Sequence, residues 1–136
     1  MIAADTSLLV AGFATWHEAH EVAHGLVRER PFVPAHVALE TYSVLTRLPP
    51  PHRVPAKVAG DFVRRVIEGR ILVPPDDVFD EVIRLAARRQ ISGGAIFDAF
   101  IALTVLRNGA TLSTRDRRAL RTYEAVGVRY ELLDLG

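Results

Sequence analysis

Apolar positions along this chain fall into two kinds of run, and the two kinds alternate. The short runs "IAAD" (2–5), "PFVP" (31–34), "ILVP" (71–74), "ATLS" (110–113) and "VRYELL" (128–133) are too brief for helices. They read as strands, and the unbroken apolar ones fit burial on both faces. Between them, apolar residues recur every three or four positions, the spacing of a helix with one face inward. The helical segments are 17–29, 35–48, 56–69, 76–90, 95–109 and 115–127, and a further helix is expected to start near Ser7. In 17–29, Ala19, Val22, Ala23 and Leu26 fall on one side. "PPPHR" (49–53) breaks the second helix and Gly109 ends the fifth. Segment 76–90 opens with acids and closes with arginines, as the helix dipole favours. Strands alternating with helices predict an α/β fold, a parallel sheet covered on both faces. Neither a repeat nor a linker divides it, so one domain over 1–136 is expected.

Composition narrows the chemistry. The chain has no cysteine, which excludes a thiol nucleophile, a cysteine zinc site and a disulfide framework. No apolar run approaches the ~20 residues of a membrane span. The apolar start lacks a basic segment and carries Asp5, so a secretory signal is not expected. A cytoplasmic protein without a membrane partner is the simplest reading. Net charge is only +1, yet 16 of the 17 basic residues are arginine, whose planar fork suits phosphate.

Four acids stand out. Asp98 is the one charge in "AIFDAFIALTVL", an otherwise apolar helical stretch apart from Thr104. A buried lone carboxylate is costly unless it is paired or binds a cation. Its neighbours one turn away, Ala95 and Ala102, leave room for something to approach. Glu40 shares a helical face with Val37, Thr41, Val44 and Leu48, where a buried pair with an arginine is the plainer alternative. Asp5 and Asp116 each follow a short strand, where capping of the next helix is the plainer alternative. In a parallel sheet, helices begin above the carboxyl ends of the strands they follow. A helix leading into a parallel strand near its own first turn begins there too. All four acids therefore belong at one edge, where open α/β sheets bind ligands. Clustered carboxylates raise one another's pKa, and a hard divalent cation relieves them. Oxygen-only donors suit Mg²⁺ or Mn²⁺ rather than zinc. Without these four, 17 basic residues face 12 acidic ones, a basic surround that suits a polyanion.

The chain resembles the PIN-domain ribonucleases of the VapC toxin type, from bacterial toxin–antitoxin pairs. The resemblance rests on "ADTSLLV", Glu40 in "ALETYSVLTRL", "GGAIFDAFIALT", and "LSTRDRR" followed by "GVRYELL", and it covers essentially the whole chain. It implies a three-layer α/β/α sandwich around a parallel five-stranded sheet of order 3-2-1-4-5. It implies an endoribonuclease dependent on Mg²⁺ or Mn²⁺, cutting structured transfer or ribosomal RNA and so inhibiting translation. Asp5, Glu40, Asp98 and Asp116 correspond to the catalytic acids, with Asp5, Asp98 and Asp116 as metal ligands. Thr6, Ser7 and Thr114 match the supporting hydroxyls, and Arg115 is a candidate contact to RNA phosphate. The implied partners are RNA, a VapB-type antitoxin whose C-terminal segment covers the site, and a second copy in a homodimer. The chemistry implied is metal-assisted hydrolysis of a phosphodiester, with in-line attack by water and departure of the 3′ oxygen. Asp98 is a candidate for taking the water's proton.

Two rival readings are weaker. "HEVAH" (20–24) matches the H-E-x-x-H zinc-protease motif, but the extended motif needs Gly and His where Val27 and Arg30 stand. His17, His20 and His24 instead suggest one solvated or interface face of a helix. A phosphoacceptor signalling domain needs an acidic pair after the first strand and a lysine after the last. Asp5 has no acidic neighbour, and the only lysine is Lys57.

Overall fold

A computed structural model describes residues 1–133; the end of the expected domain, 134–136, lies outside the described residues. Five short strands form: β1 (Ile2–Ala4), β2 (Val33–Pro34), β3 (Ile71–Leu72), β4 (Thr111–Thr114) and β5 (Tyr130–Leu132). Seven helices lie between them: α1 (Thr6–Phe13), α2 (His20–Arg28), α3 (Ala35–Thr46), α4 (Ala56–Ile67), α5 (Val78–Arg89), α6 (Ala95–Arg107) and α7 (Leu120–Val126). β1 pairs with β4 and β4 with β5, all parallel, while β2 pairs with β3. The two ladders meet at one parallel bridge, Ala3 with Phe32. There the Ala4 N–H donates to the Phe32 carbonyl at 2.9 Å, and the Phe32 N–H donates to that of Ile2 at 2.8 Å. The spatial order is thus β3-β2-β1-β4-β5. The seam is narrow because Phe32 sits between Pro31 and Val33–Pro34. A proline has no N–H to extend a ladder.

The helices form two packed groups, α1 to α4 and α5 to α7, with α3 also touching α6. α6 is buried nearly all round through Ala99, Ile101, Ala102, Leu103, Thr104 and Val105, which makes it the central helix of its layer. Leu8 and Leu9 of α1, Val33 of β2, Val37 and Leu45 of α3 and Leu112 of β4 are fully buried with them. Each such side chain contributes about 1.5–3 kcal/mol of transfer free energy. α1 and α2 approach closely at Gly12, where an added Cβ would lie 2.7 Å from Val27 Cγ2 and 3.3 Å from the Ala23 carbonyl oxygen. Among the described residues, no helix is long and apolar enough to cross a membrane.

Several boundaries differ from the sequence reading. The helix expected over 17–29 begins at His20, because the Ala19 N–H donates to His17 Nδ1 at 3.0 Å and closes a turn first. Ala19 and Ala23 are buried as expected, but Val22 is 43% exposed: the contact with α1 is a narrow alanine seam. The helix expected over 115–127 opens as a 3₁₀ turn (Arg117–Ala119) capped by Asp116. "ILVP" and "VRYELL" keep only two and three residues in strand.

Candidate functional site

The site grows from the end of β1. Asp5 caps α1: its Oδ1 accepts from the Leu8 N–H at 3.2 Å and from the Ser7 hydroxyl at 2.6 Å. Its Oδ2 accepts from the Tyr123 hydroxyl at 3.0 Å and from the Thr114 hydroxyl. The carboxylate is almost wholly buried. Burial pushes its pKa up, and the hydroxyls of Ser7, Thr114 and Tyr123 pull it only part of the way back. Two of these hydroxyls also fasten the turn after β4. Thr114 Oγ1 accepts from the Asp116 N–H at 3.0 Å, and Ser7 Oγ accepts from the Arg115 N–H at 2.9 Å.

Asp116 caps the 3₁₀ turn, its Oδ1 accepting from the Arg118 N–H at 3.0 Å. Capping is thus real for Asp5 and Asp116, and it holds both carboxylates at the sheet edge. Glu40 lies on α3. Its Oε1 accepts from the Thr6 hydroxyl, and its Oε2 stands 3.6 Å from His36 Nε2. Asp98 lies in the first turn of α6. Its carboxyl is pushed up to about 6, first by desolvation, then by the charges of Asp116, Glu40 and Asp5, with Arg118 opposing. The four acids therefore share one electrostatic neighbourhood, assembled from four separate elements. They converge without closing: among the described residues, no group of three or more His, Asp or Glu could hold a metal ion as placed.

Arg115 is turned away from this centre. Its guanidinium Nη1 lies 3.5 Å from His17 Nε2, and its Nε is buried with no hydrogen-bond partner among the described residues. Burial and the Arg115 charge hold the His17 pKa below the usual histidine value. His17, His20 and His24 do not share a face, because His17 precedes α2 and packs toward Arg115.

Tyr123 is the residue that the sequence reading missed. Its ring is buried on α7 and its hydroxyl reaches Asp5, whose charge together with burial pushes the phenol pKa upward. The available signal was a tyrosine beside Thr122 and Val126 on an inward face, since a buried phenol needs a polar partner. Tyr123→Phe removes one of two donors from Asp5 Oδ2. A hydrogen bond to a charged group is worth about 2 kcal/mol. A thermal melt at pH 7 is expected to show Tm lower by roughly 5–10 °C. An unchanged Tm would mean that the phenol does not support Asp5.

Known proteins share this fold over nearly the whole chain. The PIN domain profile matches residues 2–125. Ribonuclease VapC40 of Mycobacterium tuberculosis is 44% identical over 133 residues, spanning 98% of this chain and 99% of that protein. The crystal structure of VapC20 of M. tuberculosis, a sarcin–ricin loop cleaving toxin, superposes with a TM-score of 0.72 at 19% identity, over 94% of this chain and 96% of that one. The structure of FitAB bound to an IR36 DNA fragment superposes with a TM-score of 0.67 at 21% identity, over 97% and 94%. The two structures speak to the fold, and VapC40 and the profile speak to descent: the chain belongs to the PIN-domain family, among its VapC-type ribonucleases.

Proposed function

We propose that the acid cluster is the active centre of a divalent-metal-dependent endoribonuclease that cuts structured transfer or ribosomal RNA and so inhibits translation. One observation carries this reading: Asp5, Glu40 and Asp116, from three other elements, lie close enough to Asp98 for their charges to help push it to about 6. All the charged donors are oxygens, which suits Mg²⁺ or Mn²⁺. Mg²⁺ keeps several waters and takes one or two carboxylates plus substrate phosphate. A set of acids that converges without closing fits that habit. Asp5, Asp98 and Asp116 would hold the ion by drawing closer than they stand, since as placed they form no three-ligand group among the described residues. When bound, it would neutralise phosphate charge and acidify nearby water.

The chain's own residues do the rest. Ser7, Thr114 and Tyr123 fix Asp5, and Thr6 aims Glu40. Asp98 is the candidate acceptor of the attacking water's proton. In-line attack on phosphorus expels the 3′ oxygen, so the products carry a 5′ phosphate and a 3′ hydroxyl. Arg115, next to Asp116 in "TRD", is the proposed phosphate contact; its side chain packs on His17 with its Nε buried, so reaching phosphate requires it to swing outward. The VapC20 toxin cleaves the sarcin–ricin loop, which supports ribosomal RNA as one substrate class.

The whole chain, 1–136, is read as a single PIN domain working in the cytoplasm. Its proposed protein partners are a VapB-type antitoxin covering the site and a second copy of the chain. For the latter, Phe79 and Phe97 are half exposed and flank Phe100 and His36 on α3, α5 and α6, an apolar face that dimerisation would cover.

Total RNA incubated with purified protein is expected to be cut with Mg²⁺ or Mn²⁺ and left intact in EDTA. Cutting that survives EDTA would contradict metal dependence. Expression without an antitoxin is expected to arrest growth, and Asp5→Ala to relieve the arrest. Equal toxicity of the two would contradict a catalytic origin.

A further inference from the structure

The geometry points to a second metal site on α2, formed by the Nε2 atoms of His20 and His24 and suited to a borderline divalent cation such as Zn²⁺. It lies apart from the acid cluster and does not depend on the ribonuclease reading. His20 and His24 are one helical turn apart, the spacing that sets two side chains side by side. Their rings stack with centroids 5.2 Å apart and planes 28° from parallel. Each ring is held by its other nitrogen. His20 Nδ1 lies 3.0 Å from the carbonyl oxygen of Ala11, and His24 Nδ1 lies 3.3 Å from that of Gly12.

A carbonyl oxygen only accepts, so both Nδ1 atoms carry the hydrogen. In the neutral rings, both Nε2 atoms are then bare lone pairs. Among the described residues, neither has a hydrogen-bond partner. A histidine that donates one N–H to a backbone carbonyl while its other nitrogen is free is in the tautomer and orientation of a metal ligand. Here two consecutive carbonyls at the end of α1 orient two such rings together. The Gly12 contact that brings α2 against α1 is what places these carbonyls within reach.

Imidazole nitrogen selects Zn²⁺, Ni²⁺ or Cu²⁺ over Mg²⁺, which separates this site chemically from the oxygen site. No third His, Asp or Glu joins the pair among the described residues. The remaining positions are left to water, or to a donor on a molecule entering the cavity of about 580 Å³ that the two histidines line. Arg28, Arg30 and Arg65 also line that cavity and repel a cation, Glu68 being the one acid among its lining residues to offset them, so binding is weaker than at a closed structural zinc site. Without a third protein ligand, "HEVAH" binds metal here without becoming a protease centre.

The test is calorimetric titration of Zn²⁺ into untagged protein at pH 7.5 with millimolar Mg²⁺ present, for wild type, His24→Ala and Asp98→Asn. His24 is exposed, so its loss leaves the core intact, and a thermal melt confirms the fold. One Zn²⁺ per chain is expected, weakened about tenfold or more by His24→Ala and unchanged by Asp98→Asn. In parallel, substoichiometric Ni²⁺ is expected to broaden the ring resonances of His20 and His24 before those of His17, His36 and His52. Absence of saturable binding, equal binding by wild type and His24→Ala, or loss of binding in Asp98→Asn would each overturn the site.

Discussion

Asp98→Asn is expected to abolish RNA cleavage, by a factor of about a thousand or more, while making the metal-free protein more stable at pH 7. The two effects share one cause. Asp98 sits on the most buried helix, and desolvation together with Asp116, Glu40 and Asp5 lifts its carboxyl from 3.8 to about 6. A carboxyl whose folded pKa lies above its unfolded value costs the fold nothing below the unfolded value. The cost grows as pH rises from about 4 to about 6, and it is complete above that. The shift corresponds to a ceiling of about 3 kcal/mol, which partial solvent exposure reduces to about 1–2. Asparagine keeps the shape and removes the charge. Melting curves at pH 7 in EDTA are therefore expected to place the variant above wild type, with the gap closing toward pH 4. Millimolar Mg²⁺ should stabilise wild type more than the variant, because binding to the native state alone adds stability. A variant that melts lower in EDTA, with equal Mg²⁺ shifts for both, would make Asp98 a structural carboxylate.

Thr114→Val acts in the opposite direction on stability. The Thr114 hydroxyl is fully buried; it donates to Asp5 Oδ2 and accepts from the Asp116 N–H. Valine fills the same volume without either bond. Asp5, still buried, is left with Tyr123 alone on Oδ2, and the turn that presents Asp116 loses its anchor. Loss of a bond to a charged group and an unsatisfied amide together cost about 3 kcal/mol. Chemical denaturation is expected to show a lower midpoint at unchanged slope. Cleavage should fall by about a hundredfold or more, because two of the proposed metal ligands lose their placement together. Thr114→Ser, which restores a hydroxyl, should recover most of both. Full activity in the valine variant would show that the hydroxyl does not position the acids.

Much of this was legible from the chain because burial is readable where charge interrupts it. Asp98 declared itself as a lone acid in "AIFDAFIALTVL", and strand–helix alternation was enough to put it at the same edge as Asp5. The order of the strands came with the family resemblance, and the parallel pairings agree with it. What stayed hidden was chosen by tertiary contact. Periodicity extended α2 back to His17, but a local hydrogen bond from Ala19 to the His17 ring turns the chain there instead. Val22 followed the apolar period, yet the approach of α2 to α1 at Gly12 is narrow enough to leave it outside. Nothing in the sequence pairs Tyr123 with Asp5; only the fold brings its hydroxyl there, 118 residues away in sequence. Arg115 was readable as a basic residue in "TRD" but not as one folded against His17.

The central claim is that the acids direct water at a phosphodiester with a divalent cation, and the ends of the cut RNA report on it most directly. A ribonuclease that uses the substrate's own 2′ hydroxyl leaves a 2′,3′-cyclic phosphate and a 5′ hydroxyl; one that activates water to expel the 3′ oxygen does not. A defined RNA hairpin cut by the purified protein in Mg²⁺ should yield only 5′-phosphate and 3′-hydroxyl ends by ligation and mass analysis, with no product from Asp98→Asn. Fragments ending in 2′,3′-cyclic phosphate, produced equally by wild type and Asp98→Asn, would contradict the claim.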